Sequence, residues 1–320
     1  MVVIKERGNM GKTAFIFPGQ GAQYPGMGKD FFEKHEESQE IFKKSSEATG
    51  LDIEALCFSE NDDLNQTEYT QIAMITAELA MWKAVVSKGI NADVCAGLSL
   101  GEYAALAASG VMEPADIFPV VRKRGIYMQN AYPNGGGMTA VLGLSPEQAD
   151  AACKKIAGET GKPVSVANYN CPGQIVITGA KEAVDKAAEE CQAAGAKRCV
   201  PLNVSGPFHS ALLKEASELL AKELEQVSLS DPQIPYLTNV TAEPVTKAEG
   251  IKELLAAQIC SPVRWQQSVE KMIADGVDCF IEIGPGKTLA GFMKRINKEV
   301  KVFNVGTVEE LEALSESLVG

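Results

Sequence analysis

The pentapeptide Gly97-Leu98-Ser99-Leu100-Gly101 has the form G-x-S-x-G. A serine in that setting attacks acyl carbonyls when a sharp strand-to-helix turn strains its backbone and glycines on both sides admit close neighbours. The free N–H groups and positive dipole end of a helix starting at the serine favour a developing oxyanion. A serine hydroxyl needs a base, and the chain holds only two histidines. His35 lies in the charge-dense, helix-like stretch Lys29-Asp30-Phe31-Phe32-Glu33-Lys34-His35-Glu36-Glu37-Ser38 and reads as a solvated surface residue. His209 lies in the turn Ser205-Gly206-Pro207-Phe208-His209-Ser210, a loop of the kind that presents an imidazole to a cleft. Ser99 as nucleophile and His209 as base is therefore the expected pair. No Asp or Glu stands out as an orienting acid, and a dyad whose imidazole N–H is held by a backbone carbonyl suffices. A long stretch of chain follows His209, unlike the arrangement in standard α/β-hydrolases.

The elements that must hold these residues alternate short apolar runs with longer amphipathic ones, an α/β pattern. Ala14–Phe17 reads as a strand stopped by Pro18-Gly19, and Gln71–Lys88 as a helix with Ile72, Ile75, Leu79 and Trp82 on one stripe. Asp93–Gly97 is a strand delivering Ser99 to the helix Gly101–Ser109, and Ala115–Ala131 is a further helix ended by Pro133-Asn134-Gly135-Gly136-Gly137. The order then changes. Met138–Leu142 is a strand; Ser145-Pro146-Glu147-Gln148 opens a helix with a capping box. Val164–Ala167 and Gln174–Thr178 are strands around the turn Asn170-Cys171-Pro172-Gly173; Lys181–Ala194 is a helix and Lys197–Val204 a strand. This β-α-β-β-α-β order is ferredoxin-like. After it come a helix over Ser210–Gln226, a strand over Ile234–Val240 and helices over Lys247–Ile259 and Gln266–Ala274. The strand Cys279–Ile283, helix Lys287–Ile296, strand Val300–Val305 and helix Val308–Leu318 close the chain.

The expected fold is thus a hydrolase-like α/β core with a parallel sheet, over residues 11–133 and 206–320, plus an inserted ferredoxin-like βαββαβ subdomain over 134–205. Residues 1–10 read as an N-terminal extension, with Met10 as an alternative start.

The 320 residues are 45% hydrophobic and 22% charged, with a formal net charge of −12, which argues against nucleic-acid binding. No apolar run approaches the roughly 20 residues of a membrane span, and the N-terminus lacks a secretory signal, so a cytoplasmic protein is expected. The eight cysteines form no C-x-x-C pair and no zinc pattern; reduced, mostly buried thiols and no metal are expected.

Phe17-Pro18-Gly19-Gln20-Gly21-Ala22-Gln23, Gly97-Leu98-Ser99-Leu100-Gly101-Glu102-Tyr103 and Gly206-Pro207-Phe208-His209-Ser210 together resemble the signatures of malonyl-CoA:acyl carrier protein transacylases and related acyltransferase domains of fatty-acid and polyketide synthases. Arg124-Gly125-Ile126-Tyr127-Met128-Gln129, Asn168-Tyr169-Asn170-Cys171-Pro172-Gly173-Gln174, Gln258-Ile259-Cys260-Ser261-Pro262-Val263-Arg264-Trp265 and Glu282-Ile283-Gly284-Pro285-Gly286 match in the same order. The resemblance runs from about residue 11 to the C-terminus.

The resemblance implies that Ser99 takes the malonyl group from coenzyme A and passes it to the phosphopantetheine thiol of acyl carrier protein in a ping-pong cycle. His209 would serve as base, then acid. The backbone N–H groups of Gln20 and Leu100 would form the oxyanion hole, and Gln258 would orient His209 through its main-chain carbonyl. Arg124 would clamp the malonyl carboxylate, a task suited to a planar guanidinium, whereas Arg122 and Lys123 read as exposed helix charges. A buried guanidinium is costly in an empty site, so some solvation of Arg124 is expected. Phe208 implies a malonyl-sized pocket, since a smaller residue there accompanies methylmalonyl selection in the family. Leu98 is a departure, because many members carry histidine at that place.

The expected partners are malonyl-CoA and acyl carrier protein, with no permanently bound cofactor, no nucleic acid, no membrane and a monomeric state. A basic rim at the cleft involving Lys287, Lys294 and Arg295 would receive these anionic substrates despite the acidic net charge. The alternatives are a polyketide-pathway acyltransferase, a serine thioesterase or hydrolase, and a non-catalytic carrier-docking module.

Overall fold

A computed structural model describes residues 11–204 and 206–319. The N-terminal extension and Ser205 lie outside the described residues.

Among the described residues ten strands form two sheets: β1 (Lys12–Phe17), β2 (Val94–Gly97), β3 (Gly136–Leu142), β4 (Val164–Cys171), β5 (Gln174–Ala180), β6 (Arg198–Pro201), β7 (Tyr236–Leu237), β8 (Pro244–Val245), β9 (Val277–Ile283) and β10 (Lys301–Val305). The larger sheet has the order β10-β9-β1-β2-β7-β8 and is parallel except for the β7–β8 pair. Alternation along β1 and β2 feeds two cores. Phe15, Phe17 and Cys95 pack on one face with the helices that carry Ile75, Tyr103 and Val121, whereas Ala14, Ile16, Val94 and Ala96 pack on the other with Trp265, Phe280 and Phe292. Both faces being covered explains why β1 and β2 read as unbroken apolar runs.

The smaller sheet is antiparallel with the order β4-β5-β3-β6, the ferredoxin-like arrangement. Helices Pro146–Thr160 and Lys181–Ala193 cover it, and its own core includes Val141, Ile156, Val166, Ile177, Val184 and Cys191. The capping box is present: Gln148 N–H donates to Ser145 Oγ (3.3 Å) and Ser145 N–H to Gln148 Oε1 (3.0 Å). The two sheets are stitched together. Strand β4 makes a parallel bridge at Asn168 to Val263, with Tyr169 N–H to Val263 O at 2.9 Å and Val263 N–H to Ala167 O at 2.8 Å.

Several elements differ from their sequence reading. The helix expected at Gln71–Lys88 spans Thr67–Ser87 and is buried around nearly its whole circumference, so the single stripe understates it. The strand expected over Ile234–Val240 is only Tyr236–Leu237, because the chain turns away at Thr238, whose carbonyl accepts from Ala242 N–H (2.9 Å). The helix expected over Lys247–Ile259 starts at Ile251, because Pro244–Val245 pairs as a strand and the chain before the helix is unwound. His35 does not sit within one helix but separates Lys29–Lys34 from Glu36–Thr49; its side chain is only 12% exposed and stacks on Phe31, with ring centroids 5.8 Å apart. The contact with Phe31 removes it from water, which corrects the solvated reading. All eight cysteines are free thiols, and six are buried.

Candidate active site

Strand β2 ends at Gly97, Ser99–Gly101 forms one 3-10 turn and the helix Glu102–Ala108 follows. Ser99 has φ of 52°, a left-handed conformation that costs a non-glycine residue about 1–3 kcal/mol. Both flanking glycines are sterically required. A Cβ on Gly97 would lie 1.9 Å from the Gly101 carbonyl carbon, and one on Gly101 would lie 2.3 Å from Phe17 O. The turn therefore sits directly against the end of β1, whose following loop carries Gln20.

His209, also at positive φ (59°), reaches the serine from the loop after the antiparallel sheet. Its Nε2 is 2.8 Å from Ser99 Oγ and its Nδ1 2.9 Å from the Gln258 carbonyl. A carbonyl only accepts, so Nδ1 carries the proton and Nε2 presents a lone pair to the serine hydroxyl. The imidazole is 4% exposed. Burial lowers its pKa to about 4; the Gln258 carbonyl opposes the shift and the Arg124 charge adds to it. At neutral pH the ring is a neutral acceptor.

Arg124 comes from helix Pro114–Ala131 and is fully buried. Solvation was expected around the empty guanidinium; amide oxygens take that place. Nη1 donates to Gln71 Oε1 (2.7 Å), and Nη2 to Gln258 Oε1 (2.8 Å) and to Ser99 Oγ (3.3 Å). The Tyr103 ring lies 5.5 Å from the guanidinium carbon, and Nε has no acceptor among the described residues. Burial lowers the Arg124 pKa, and the nearby Tyr103 and Glu102 counter that shift. Arg122 is also less exposed than its sequence reading. Its side chain is 17% exposed, pairs with Glu68 Oε2 at 2.7 Å and lies over Tyr69, a consequence of facing the neighbouring helix rather than water. Lys123 is exposed and pairs with Glu223 at 2.5 Å.

Gln258 is the hub of the site. Besides its two acceptor roles, its Nε2 donates to Ser99 O (2.9 Å) and to Glu102 Oε2 (2.7 Å). Glu102 and Asn239 are the residues that sequence reasoning missed. Burial raises the Glu102 pKa to about 7, opposed by hydrogen bonds from Gln258 and from Asn239 N–H and by the Arg124 charge. Its place directly after the G-x-S-x-G turn was the available signal. Asn239, hidden inside an overlong strand reading, touches the turn itself: Ser99 N–H donates to its Oδ1 at 2.6 Å.

A cavity of about 230 Å³ opens over Ser99. Gln20, Leu98, Leu100, Arg124, Phe208 and His209 line it, so it gathers the sequence-identified residues except Gln258, which lies behind them. Gln20 Nε2 donates to Thr67 Oγ1 at 3.0 Å, which fixes the loop after β1 over the cavity. Leu100 stands in the first turn of the helical segment, where N–H groups lack intrahelical acceptors. Phe208 is buried, and Leu98 is half-buried against the core on the Trp265 side. Thr288, Leu289 and Phe292 close the cavity from helix Thr288–Ile296. Glu282 pins the start of that helix by accepting from Leu289 N–H (2.9 Å) and Ala290 N–H (2.8 Å). Of the proposed rim, Lys294 and Arg295 are exposed on its last turn, Arg295 touching Gln174 Oε1 at 3.1 Å, and Lys287 pairs with Glu310 at 2.6 Å. Among the described residues no cluster of His, Cys, Asp and Glu is placed to hold a metal, and no helix is long and apolar enough to cross a membrane.

Comparison with known proteins identifies the family. The family model described as acyl transferase domain matches residues 14–313. The malonyl CoA-acyl carrier protein transacylase of Bacillus subtilis (strain 168) is 42% identical over 311 residues, covering 97% of this chain and 98% of its own. A crystal structure of the malonyl CoA-acyl carrier protein transacylase from Clostridium perfringens superposes with a TM-score of 0.93 at 46% identity, covering 96% of this chain and 97% of that one. A solved complex of a type II PKS acyl-carrier protein with its malonyl-transacylase gives a TM-score of 0.92 at 40% identity, covering 96% and 99% of the two chains. The chain belongs to the acyl transferase domain family, in its group of malonyl CoA-acyl carrier protein transacylases.

Proposed function

We propose that the protein moves a malonyl group from malonyl-CoA to the phosphopantetheine thiol of acyl carrier protein through a malonyl-Ser99 ester, in fatty-acid biosynthesis in the cytoplasm. The observation that carries this reading is the buried Arg124 guanidinium, whose Nη2 lies 3.3 Å from Ser99 Oγ. A free carboxylate is what distinguishes malonyl from acetyl, and a desolvated guanidinium beside the nucleophile rewards that group with charge-assisted hydrogen bonds. The amide oxygens of Gln71 and Gln258 hold the guanidinium until the carboxylate arrives.

In the first half-reaction His209 Nε2 takes the Ser99 hydroxyl proton as Oγ attacks the thioester carbonyl. The Gln258 carbonyl steadies the imidazolium through Nδ1–H. The backbone N–H groups of Gln20 and Leu100 receive the oxyanion. Collapse expels coenzyme A thiolate, which leaves with the proton returned by His209. The carrier's thiol then reacts in the reverse sense, losing its proton to His209, and the alkoxide of Ser99 recovers that proton. Phe208 and Leu98 bound the acyl group. Lys294 and Arg295, on the helix that closes the cavity, offer the anionic substrates a local positive edge on an otherwise acidic protein.

The test is incubation with malonyl-CoA alone, followed by mass spectrometry of the Ser99 peptide. A malonyl adduct on that peptide is expected; a folded protein that never acquires one refutes the acyl-serine mechanism. Hydrolysis of malonyl-CoA at the same rate with and without carrier protein would instead identify a thioesterase.

A further inference from the structure

We infer that Asn239 is a positioning residue of acyl transfer, gripping the turn that holds Ser99 and withdrawing the Ser99 N–H from the oxyanion site. This rests on Ser99 being the acyl-carrying residue.

The backbone ladder between β2 and β7 ends at the Ala96–Leu237 pair. Beyond it the Asn239 side chain takes over as a surrogate peptide group. Its Nδ2 donates to Gly97 O at 2.6 Å and its Oδ1 accepts from Ser99 N–H at 2.6 Å. On the opposite side, Leu98 N–H donates to Phe17 O of β1 at 3.0 Å. The three residues that make the turn are therefore fixed alternately from the two neighbouring strand ends. Such fixing is required, because a non-glycine residue persists at φ of 52° only where its surroundings over-determine it.

Asn239 is itself immobilised. It is 3% exposed, its N–H donates to Glu102 Oε2 (3.1 Å), and its carbonyl accepts from Arg264 N–H (3.0 Å). The same Glu102 oxygen accepts from Gln258 Nε2 at 2.7 Å, so one carboxylate anchors both the clamp on the nucleophile and the residue whose carbonyl holds the base. The arrangement also distinguishes two adjacent N–H groups. That of Ser99 is committed to Asn239, and that of Leu100, a residue lining the cavity, stands in the first turn where no intrahelical acceptor reaches it.

The test compares wild type, Asn239→Ala and Asn239→Leu in rapid-quench acylation by malonyl-CoA, reading burst amplitude and burst rate separately. Asn239→Leu, of similar volume, preserves packing should the alanine variant not fold. Loss of a positioning contact slows the chemistry at every site: full amplitude is expected, with a burst rate lower by about 100-fold and malonyl-CoA KM changed by less than about threefold, the scale set by removing one oxyanion contact. A burst rate within about threefold of wild type overturns the inference. So does a reduced amplitude at unchanged rate, which is the signature of a residue that serves only folding. If wild type itself gives no acylation burst, the acyl-serine reading fails first and takes this inference with it.

Discussion

Replacing Arg124 with alanine separates substrate recognition from the rest of the machinery. The guanidinium is fully buried and donates to Gln71, Gln258 and Ser99, so it meets a bound carboxylate out of water. Truncating one partner of a buried, hydrogen-bonded charge pair costs about 3–5 kcal/mol, or roughly 10²- to 10⁴-fold in kcat/KM for malonyl-CoA. Acetyl-CoA carries a hydrogen in place of the carboxylate and gains nothing from the guanidinium, so its transfer should change by less than about tenfold. The residual loss for both substrates comes from the Gln71 and Gln258 oxygens left without their donor, and water entering the space vacated by the guanidinium keeps it small. The assay measures kcat/KM for both thioesters on the same preparation, and the quantity that decides is the malonyl-to-acetyl ratio. It should fall by at least about tenfold. An equal loss for both would refute the clamp and leave Arg124 as a structural residue.

Three further outcomes follow from the same geometry. Because burial holds His209 at about 4, it stays an unprotonated base well below its ordinary 6.5; the acid limb of kcat/KM for malonyl-CoA should fall near pH 4, and a limb near 6.5 would contradict the buried site. Protonation below the folded pKa removes the base, so activity is lost as pH falls; in Arg124→Ala, without the charge that helps depress His209, the limb should move upward. Phe208→Ser enlarges the pocket and should raise the methylmalonyl-to-malonyl ratio of kcat/KM by about 10- to 100-fold, checked by competition between the two thioesters; an unchanged ratio would remove Phe208 from the pocket's selectivity.

Local chemistry made the turn at Ser99 legible. Gly97 and Gly101 mark the turn because a Cβ at either would collide with backbone, and the scarcity of histidine left His209 as the candidate base. The antiparallel insertion was equally readable, since Ser145-Pro146 and Pro172-Gly173 punctuate its helices and strands. What escaped was long-range. Asn239 looked like strand continuation because a side chain mimicking a peptide bond leaves no periodic trace. Glu102 sat in plain view, but its burial depends on Asn239 and Gln258, which lie 137 and 156 residues away in sequence. Helix Thr67–Ser87 betrayed little of its enclosure, because small and apolar residues on every side blur any single face.

The bridge between Asn168 and Val263 has a bearing on attempts to re-engineer the extender unit by exchanging the antiparallel module. It joins that module to the segment just after Gln258, whose carbonyl orients the imidazole. A transplanted module whose counterpart of β4 failed to meet Val263 in register would disturb the imidazole as well as the pocket wall. Grafts should therefore carry residues 258–265 together with the module, so that selectivity and turnover travel as one cassette.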